Sequence, residues 1–95
     1  MLTWVIYDIS DDRTRTKFAK ACQNRGLYRV QRSCFVGSVP SNRVDELAQQ
    51  AEEMIAEDDA VFIFPQTRDN FEQMRMIGIT FSKKLIADEL TTDFF

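Results

Sequence analysis

The chain has 95 residues, 44% hydrophobic and 28% charged, the size and balance of one small globular domain with a modest core rather than a disordered segment. It contains no histidine, which excludes the usual general base, the usual zinc ligand and every Ser-His or Cys-His nucleophile pair. Any catalysis must therefore draw on carboxylates, Lys, Tyr, Cys or a hard metal ion.

The net charge of −3 conceals a split: residues 1–43 carry eight Lys/Arg against three Asp/Glu, and residues 44–95 carry four against twelve. A folded chain presents these as separate surfaces, so the basic part is a candidate for phosphate contact and the acidic part faces away from it. No apolar run approaches the roughly 20 residues of a membrane span, and no signal peptide precedes the first strand. The expected location is the cytoplasm, with no membrane partner. Cys22 and Cys34 form no CxxC pair and read as buried thiols in a reducing compartment.

The first stretch, Leu2 to Ser10, is rich in β-branched and aromatic residues and holds no Gly or Pro, the pattern of a strand. Nearly every position is apolar, which predicts a central strand covered on both faces. Asp8 interrupts this near the C-terminal end. A buried carboxylate is costly unless it is paired, hydrogen-bonded, metal-bound or solvated, so Asp8 either carries chemistry or braces the turn at Ser10-Asp11-Asp12.

Ser10 or Asp11 can cap a helix running to about Arg25, with Gly26 as its stop. Thr14, Phe18, Ala21 and Cys22 share the face expected to pack on the sheet. Arg13, Lys17, Lys20 and Asn24 share another, which reads either as a phosphate-contacting ridge or as a solvated helix face. Tyr28 to Val39 is expected to be one strand bent at Gly37, with Tyr28, Val30, Cys34 and Val36 on one side and Arg29, Gln31, Ser33 and Phe35 on the other. Arg32 breaks the alternation.

Pro40 ends that strand, and Ser41 or Asn42 is expected to cap a second helix whose apolar stripe is Val44, Leu47, Ala48, Ala51, Met54 and Ile55. Glu57-Asp58-Asp59 turns the chain into a strand over Ala60–Phe64, apolar on both faces and so expected to be central. One helical turn is expected around Asn70-Phe71-Glu72, a strand over Met74–Ile77, and a further strand over 79–86. The order reads as βαββαβ with an extra C-terminal strand: an α+β, ferredoxin-like sandwich in one domain, both helices on one face of an antiparallel sheet. The uncovered face needs a cover, and a homodimer packed sheet to sheet is the simplest.

Tyr7-Asp8-Ile9-Ser10-Asp11 at the end of the first strand, Val30-Gln31-Arg32-Ser33-Cys34-Phe35-Val36-Gly37, the run into Pro65 and the closing Ile77-Gly78 together resemble the CRISPR-associated protein two family, over essentially the whole length. The resemblance implies a homodimer in which residues 79–95 extend the partner's sheet and the two Asp8 copies approach each other. It implies Mg²⁺, with Mn²⁺ as a substitute, held by Asp8, and a catalytic set of Asp8, Tyr7, Arg15, Arg29, Ser33 and Phe35. Lys17 stands where some members carry a second Arg; it keeps the charge without the planar two-pronged grip.

Two functions follow from the resemblance. One is metal-dependent hydrolysis of single-stranded RNA or duplex DNA at paired Asp8 carboxylates. The other is a CRISPR adaptation role in which the dimer binds and bridges duplex DNA beside its integrase partner, with Arg13, Arg15, Lys17, Lys20, Arg29 and Arg32 on phosphates. We favour the second; a small-ligand or protein-binding regulatory dimer on the same fold is the alternative.

Overall fold

The computed structural model describes residues 2–78. Its elements are β1 (Leu2–Asp8), α1 (Asp12–Asn24), β2 (Tyr28–Gln31), β3 (Cys34–Ser38), α2 (Ser41–Met54), β4 (Ala60–Gln66) and α3 (Arg68–Gln73). The sheet order is β2-β3-β1-β4, and all three pairings are antiparallel. This is the expected βαββαβ sandwich, with β1 central between β3 and β4. The strand expected over 79–86 lies outside the described residues.

Alternation along β1 divides its side chains between two layers. Val5, Tyr7 and Ile9 join Phe18, Cys22, Leu27, Phe35, Leu47 and Ala51 in the core beneath α1 and α2. Leu2 and Trp4 lie on the other face with Val36 and Phe71. There α3 supplies a partial cover: Thr67 Oγ1 accepts from Asn70 N–H at 3.2 Å to start the short helix, and Phe71 is buried. The helical turn expected around Phe71 is therefore present. The rest of that face stays open, with Phe62 63%, Ile6 42% and Phe64 41% exposed.

α1 begins at Asp11, whose carboxylate accepts from Thr14 N–H at 2.8 Å and Thr14 O–H at 2.9 Å. It stops at Gly26, where φ is +87° and Leu27 N–H donates back to the Cys22 carbonyl at 3.2 Å. A left-handed residue here is cheap only for Gly.

Four expectations need correction. Tyr28–Val39 is a hairpin of two strands, not one bent strand: chain reversal at Arg32-Ser33 is what breaks the alternation at Arg32, and the register shifts between Arg29 and Gln31. Gly37 marks no bend but a close approach, since a Cβ there would stand 2.8 Å from the Gly26 carbonyl oxygen. β4 is an edge strand among the described residues, not a central one, and its second apolar face is the open one; the edge position also tolerates Pro65. Met74–Ile77 forms no strand: Met74 packs against the Leu2, Trp4 and Phe71 cluster, while Ile77 is 91% exposed. A smaller difference is that Ser41 is already helical and Pro40 holds the cap position of α2, with no side-chain cap.

Candidate nucleic-acid and metal site

Asp8 is the last residue of β1, opposite Ala60 in the register, and is exposed. By alternation it shares the open face with Trp4 and Ile6. Tyr7 points the other way and is only 3% exposed. The sheet therefore separates Tyr7 and Asp8, although they are neighbours in sequence.

The end of β1 is held from two sides. Arg15 Nη1 donates to the Ile9 carbonyl at 2.9 Å and to the Ser10 carbonyl at 3.4 Å, and its Nη2 forms an ion pair with Asp12. Across the sheet edge, Asp59 Oδ1 accepts from Ser10 N–H at 3.1 Å and Ser10 O–H at 3.2 Å. Asp59 Oδ2 accepts from Ala56 N–H at 2.9 Å. These bonds to Ala56 and Ser10 hold the Asp59 carboxyl below its ordinary pKa, as the Thr14 bonds do for Asp11.

On the helix side, Tyr7 meets the Phe18 ring edge-on at 5.1 Å and stacks on Phe35 at 6.2 Å. The Arg29 guanidinium lies over Phe35, 5.2 Å from the ring centre, a cation–π contact. The Tyr7 hydroxyl is buried with no hydrogen-bond partner among the described residues. Burial pushes its pKa up, against the opposing pull of Arg29. Phe35 itself is fully buried, and Ser33 offers its carbonyl to Tyr7 N–H at 3.1 Å.

The structure thus gathers Tyr7, Arg29, Ser33 and Phe35 on or beside the helix-side core, anchors Arg15 at the strand end, and leaves Asp8 on the other face. Arg13, Lys17 and Lys20 are exposed on α1, and Arg29 and Arg32 are exposed in the hairpin. Burial raises both thiols, Cys22 to about 12, so neither is a ready nucleophile.

Asp8 offers one hard oxygen donor group open to solvent, and Mg²⁺ is often held by one or two carboxylates with several waters. The donor chemistry of this exposed carboxylate fits such an ion. Among the described residues no cluster of three or more His, Cys, Asp or Glu is placed to hold a metal. Asp59 is the residue that sequence reasoning missed. It reads there as one of three acidic turn residues, and only the return of β4 alongside β1 brings it to Ser10.

A family model described as CRISPR associated protein Cas2 matches residues 1–74. The chain is 44% identical over 66 residues to a CRISPR-associated endoribonuclease Cas2 of Archaeoglobus fulgidus, covering 68% of this chain and 70% of that one. It is 42% identical over 50 residues to a CRISPR-associated endonuclease Cas1/endonuclease Cas2 fusion of Thermoproteus tenax, covering 53% of this chain and 19% of the fusion. The crystal structure of a hypothetical protein from Thermus thermophilus superposes with a TM-score of 0.71 at 30% identity, over 83% of this chain and 92% of that one. No helix among the described residues is long and apolar enough to cross a membrane.

Proposed function

The chain belongs to the CRISPR-associated Cas2 family, and from that membership we propose that it is a homodimeric adaptor that binds duplex DNA and holds it beside a Cas1-type integrase during spacer acquisition. The observation that carries this reading is the exposure of Arg13, Lys17 and Lys20 along α1, with Arg29 and Arg32 exposed in the hairpin. Such cations hold phosphates without reading bases, which gives salt-sensitive, sequence-tolerant binding. The Thermoproteus fusion, which joins a Cas1 to a Cas2 in one chain, supports the integrase partner.

A second reading, phosphodiester hydrolysis, is favoured by one observation: Asp8 lies exposed on the open, apolar face where a second copy would bring a second Asp8. Mg²⁺ or Mn²⁺ held there would supply charge stabilisation and an activated water.

The test of the adaptor is duplex affinity against salt. Lys17→Ala/Lys20→Ala should weaken binding and flatten the log–log salt slope by up to about 2, at roughly 0.9 per lost phosphate contact. An unchanged affinity and slope would overturn the placement on α1. Hydrolysis is tested with labelled RNA and duplex in Mg²⁺ or EDTA: activity that needs Mg²⁺ and disappears in Asp8→Asn supports the second reading, and activity that survives Asp8→Asn refutes it.

A further inference from the structure

Burial alternates through the end of β1: Asp8 is exposed, Ile9 is buried and Ser10 is exposed. Ile9 belongs to the helix-side core, so the two-residue period of the strand carries past Asp8. It turns Ser10 to the same side as the Asp8 carboxylate. That carboxylate makes no hydrogen bond or ion pair among the described residues.

Ser10 is held from two sides. Its N–H and its hydroxyl both donate to Asp59 Oδ1, at 3.1 and 3.2 Å, and its carbonyl accepts from Arg15 Nη1 at 3.4 Å. Asp59 is itself fixed: Oδ2 accepts from Ala56 N–H at 2.9 Å, and its own N–H donates to the Ala56 carbonyl at 3.0 Å. The consequence for Ser10 is directional. A hydroxyl has one proton and two lone pairs, and here the proton is committed to Asp59. Ser10 Oγ therefore has only lone pairs left to offer, which suits a cation and not an anion. Both Asp59 oxygens already take N–H or O–H donors, so Asp59 acts through Ser10 and does not bind an ion directly.

We infer that Ser10 Oγ is a second protein ligand of the hard divalent cation proposed at Asp8, with Asp59 as the positioning residue that takes its proton. The inference rests on the reading of Asp8 as a metal ligand. A neutral hydroxyl beside a carboxylate is a known donor pair for Mg²⁺, used with phosphates in nucleotide-binding loops. One copy of the chain then supplies two oxygens, and the site does not depend wholly on meeting a second Asp8. Duplex binding by the exposed cations of α1 and the hairpin involves neither Ser10 nor Asp59.

The test titrates the full chain with Mn²⁺ and follows the electron paramagnetic resonance signal of the free ion, a readout independent of any activity. Asp8→Asn should abolish the site. Ser10→Ala should weaken binding about tenfold, while Ser10→Thr, which keeps the hydroxyl, should stay close to the wild type. Asp59→Asn should weaken it about threefold, through loss of a charge one shell away in a wet site. Ser10→Cys separates a ligand from a merely structural hydroxyl, because a thiolate is a soft donor. That variant should lose Mn²⁺ affinity and gain Cd²⁺ affinity, with an ultraviolet sulfur-to-cadmium band that the wild type lacks and that a further Asp8→Asn change weakens. If Asp8→Asn binds Mn²⁺ as the wild type does, the metal reading falls and the inference falls with it. Asp8-dependent binding that Ser10→Ala leaves unchanged, or a cadmium band indifferent to Asp8→Asn, overturns the inference alone. The Ser10→Cys arm decides if Ser10→Ala does not fold.

Discussion

Asp59, at the entry to β4, accepts both the backbone N–H and the hydroxyl of Ser10, at 3.1 and 3.2 Å, and so ties the turn before β4 to the loop that follows Asp8. Its other carboxylate oxygen takes Ala56 N–H at 2.9 Å. One side chain thereby closes the turn out of α2 and fixes the exit of the central strand. Arg15 holds the same exit from the α1 side through the Ile9 carbonyl. These two residues reinforce the position that the pairing of Asp8 with Ala60 gives it in the β1–β4 ladder.

Asp59→Ala should lower the thermal midpoint at neutral pH by a few degrees while leaving the folded chain otherwise intact. The pH dependence has a definite sign. The hydrogen bonds hold the folded pKa of Asp59 below its ordinary value. Its stabilisation is therefore complete above the unfolded value of about 3.9 and is lost as pH falls through the lower, folded value. Thermal melts of both proteins from neutral to strongly acidic pH should show a constant gap down to about pH 4 that narrows below it. A gap that instead widens in acid would contradict this role.

The Tyr7 hydroxyl supplies a second prediction. It is buried without a geometrically sound hydrogen-bond partner among the described residues, although Arg29 is near enough to pull its pKa down, and an unsatisfied buried polar group costs about 1–3 kcal/mol. Tyr7→Phe keeps the ring contacts with Phe18 and Phe35 and removes that cost. The variant should be as stable as the wild type or more stable by about 1 kcal/mol, read from the urea midpoint at unchanged slope. A loss of more than about 1 kcal/mol would mean that the hydroxyl has a partner in solution, with Arg29 the first candidate.

Most of the fold was legible because local signals agreed with the tertiary answer. The uninterrupted apolar run of β1, the Asp11 cap, the Gly26 stop and the α2 stripe through Leu47 and Ala51 all act over a turn or two of chain. What failed depended on distant partners. Arg32 interrupts the alternation between Val30 and Cys34 because the chain reverses there. Gly37 is required by the backbone of Gly26 and Leu27, which reaches it only after α1 has packed. The two-sided apolar pattern of Ala60–Phe64 reads as a central strand, yet Phe62 and Phe64 are exposed; a sequence pattern does not distinguish a face buried within the chain from one left open. Asp8 stood out as a carboxylate in an apolar strand. The division of Tyr7 and Asp8 between opposite faces follows from strand periodicity alone, whereas Asp59 acquires its role only through the β1–β4 register.

That open face carries the last prediction. Ile6 and Phe62 stand opposite each other in the register, and Phe64 lies beside them; the three are 42%, 63% and 41% exposed. In a sheet-to-sheet homodimer the contact is isologous, so any substitution counts twice. Burying a Phe contributes about 1.5–3 kcal/mol, and a carboxylate in its place must also be desolvated. Phe62→Glu should therefore weaken the dimer by two orders of magnitude or more, since each 1.4 kcal/mol is about tenfold. Sedimentation velocity across a concentration series should show the wild type as a dimer and the variant as a monomer of retained helical content. Phe62 makes few contacts within its own chain, so the fold should survive. A Phe62→Glu protein that remains dimeric at the lowest measurable concentration would place the homodimer contact on another surface and separate the two Asp8 carboxylates.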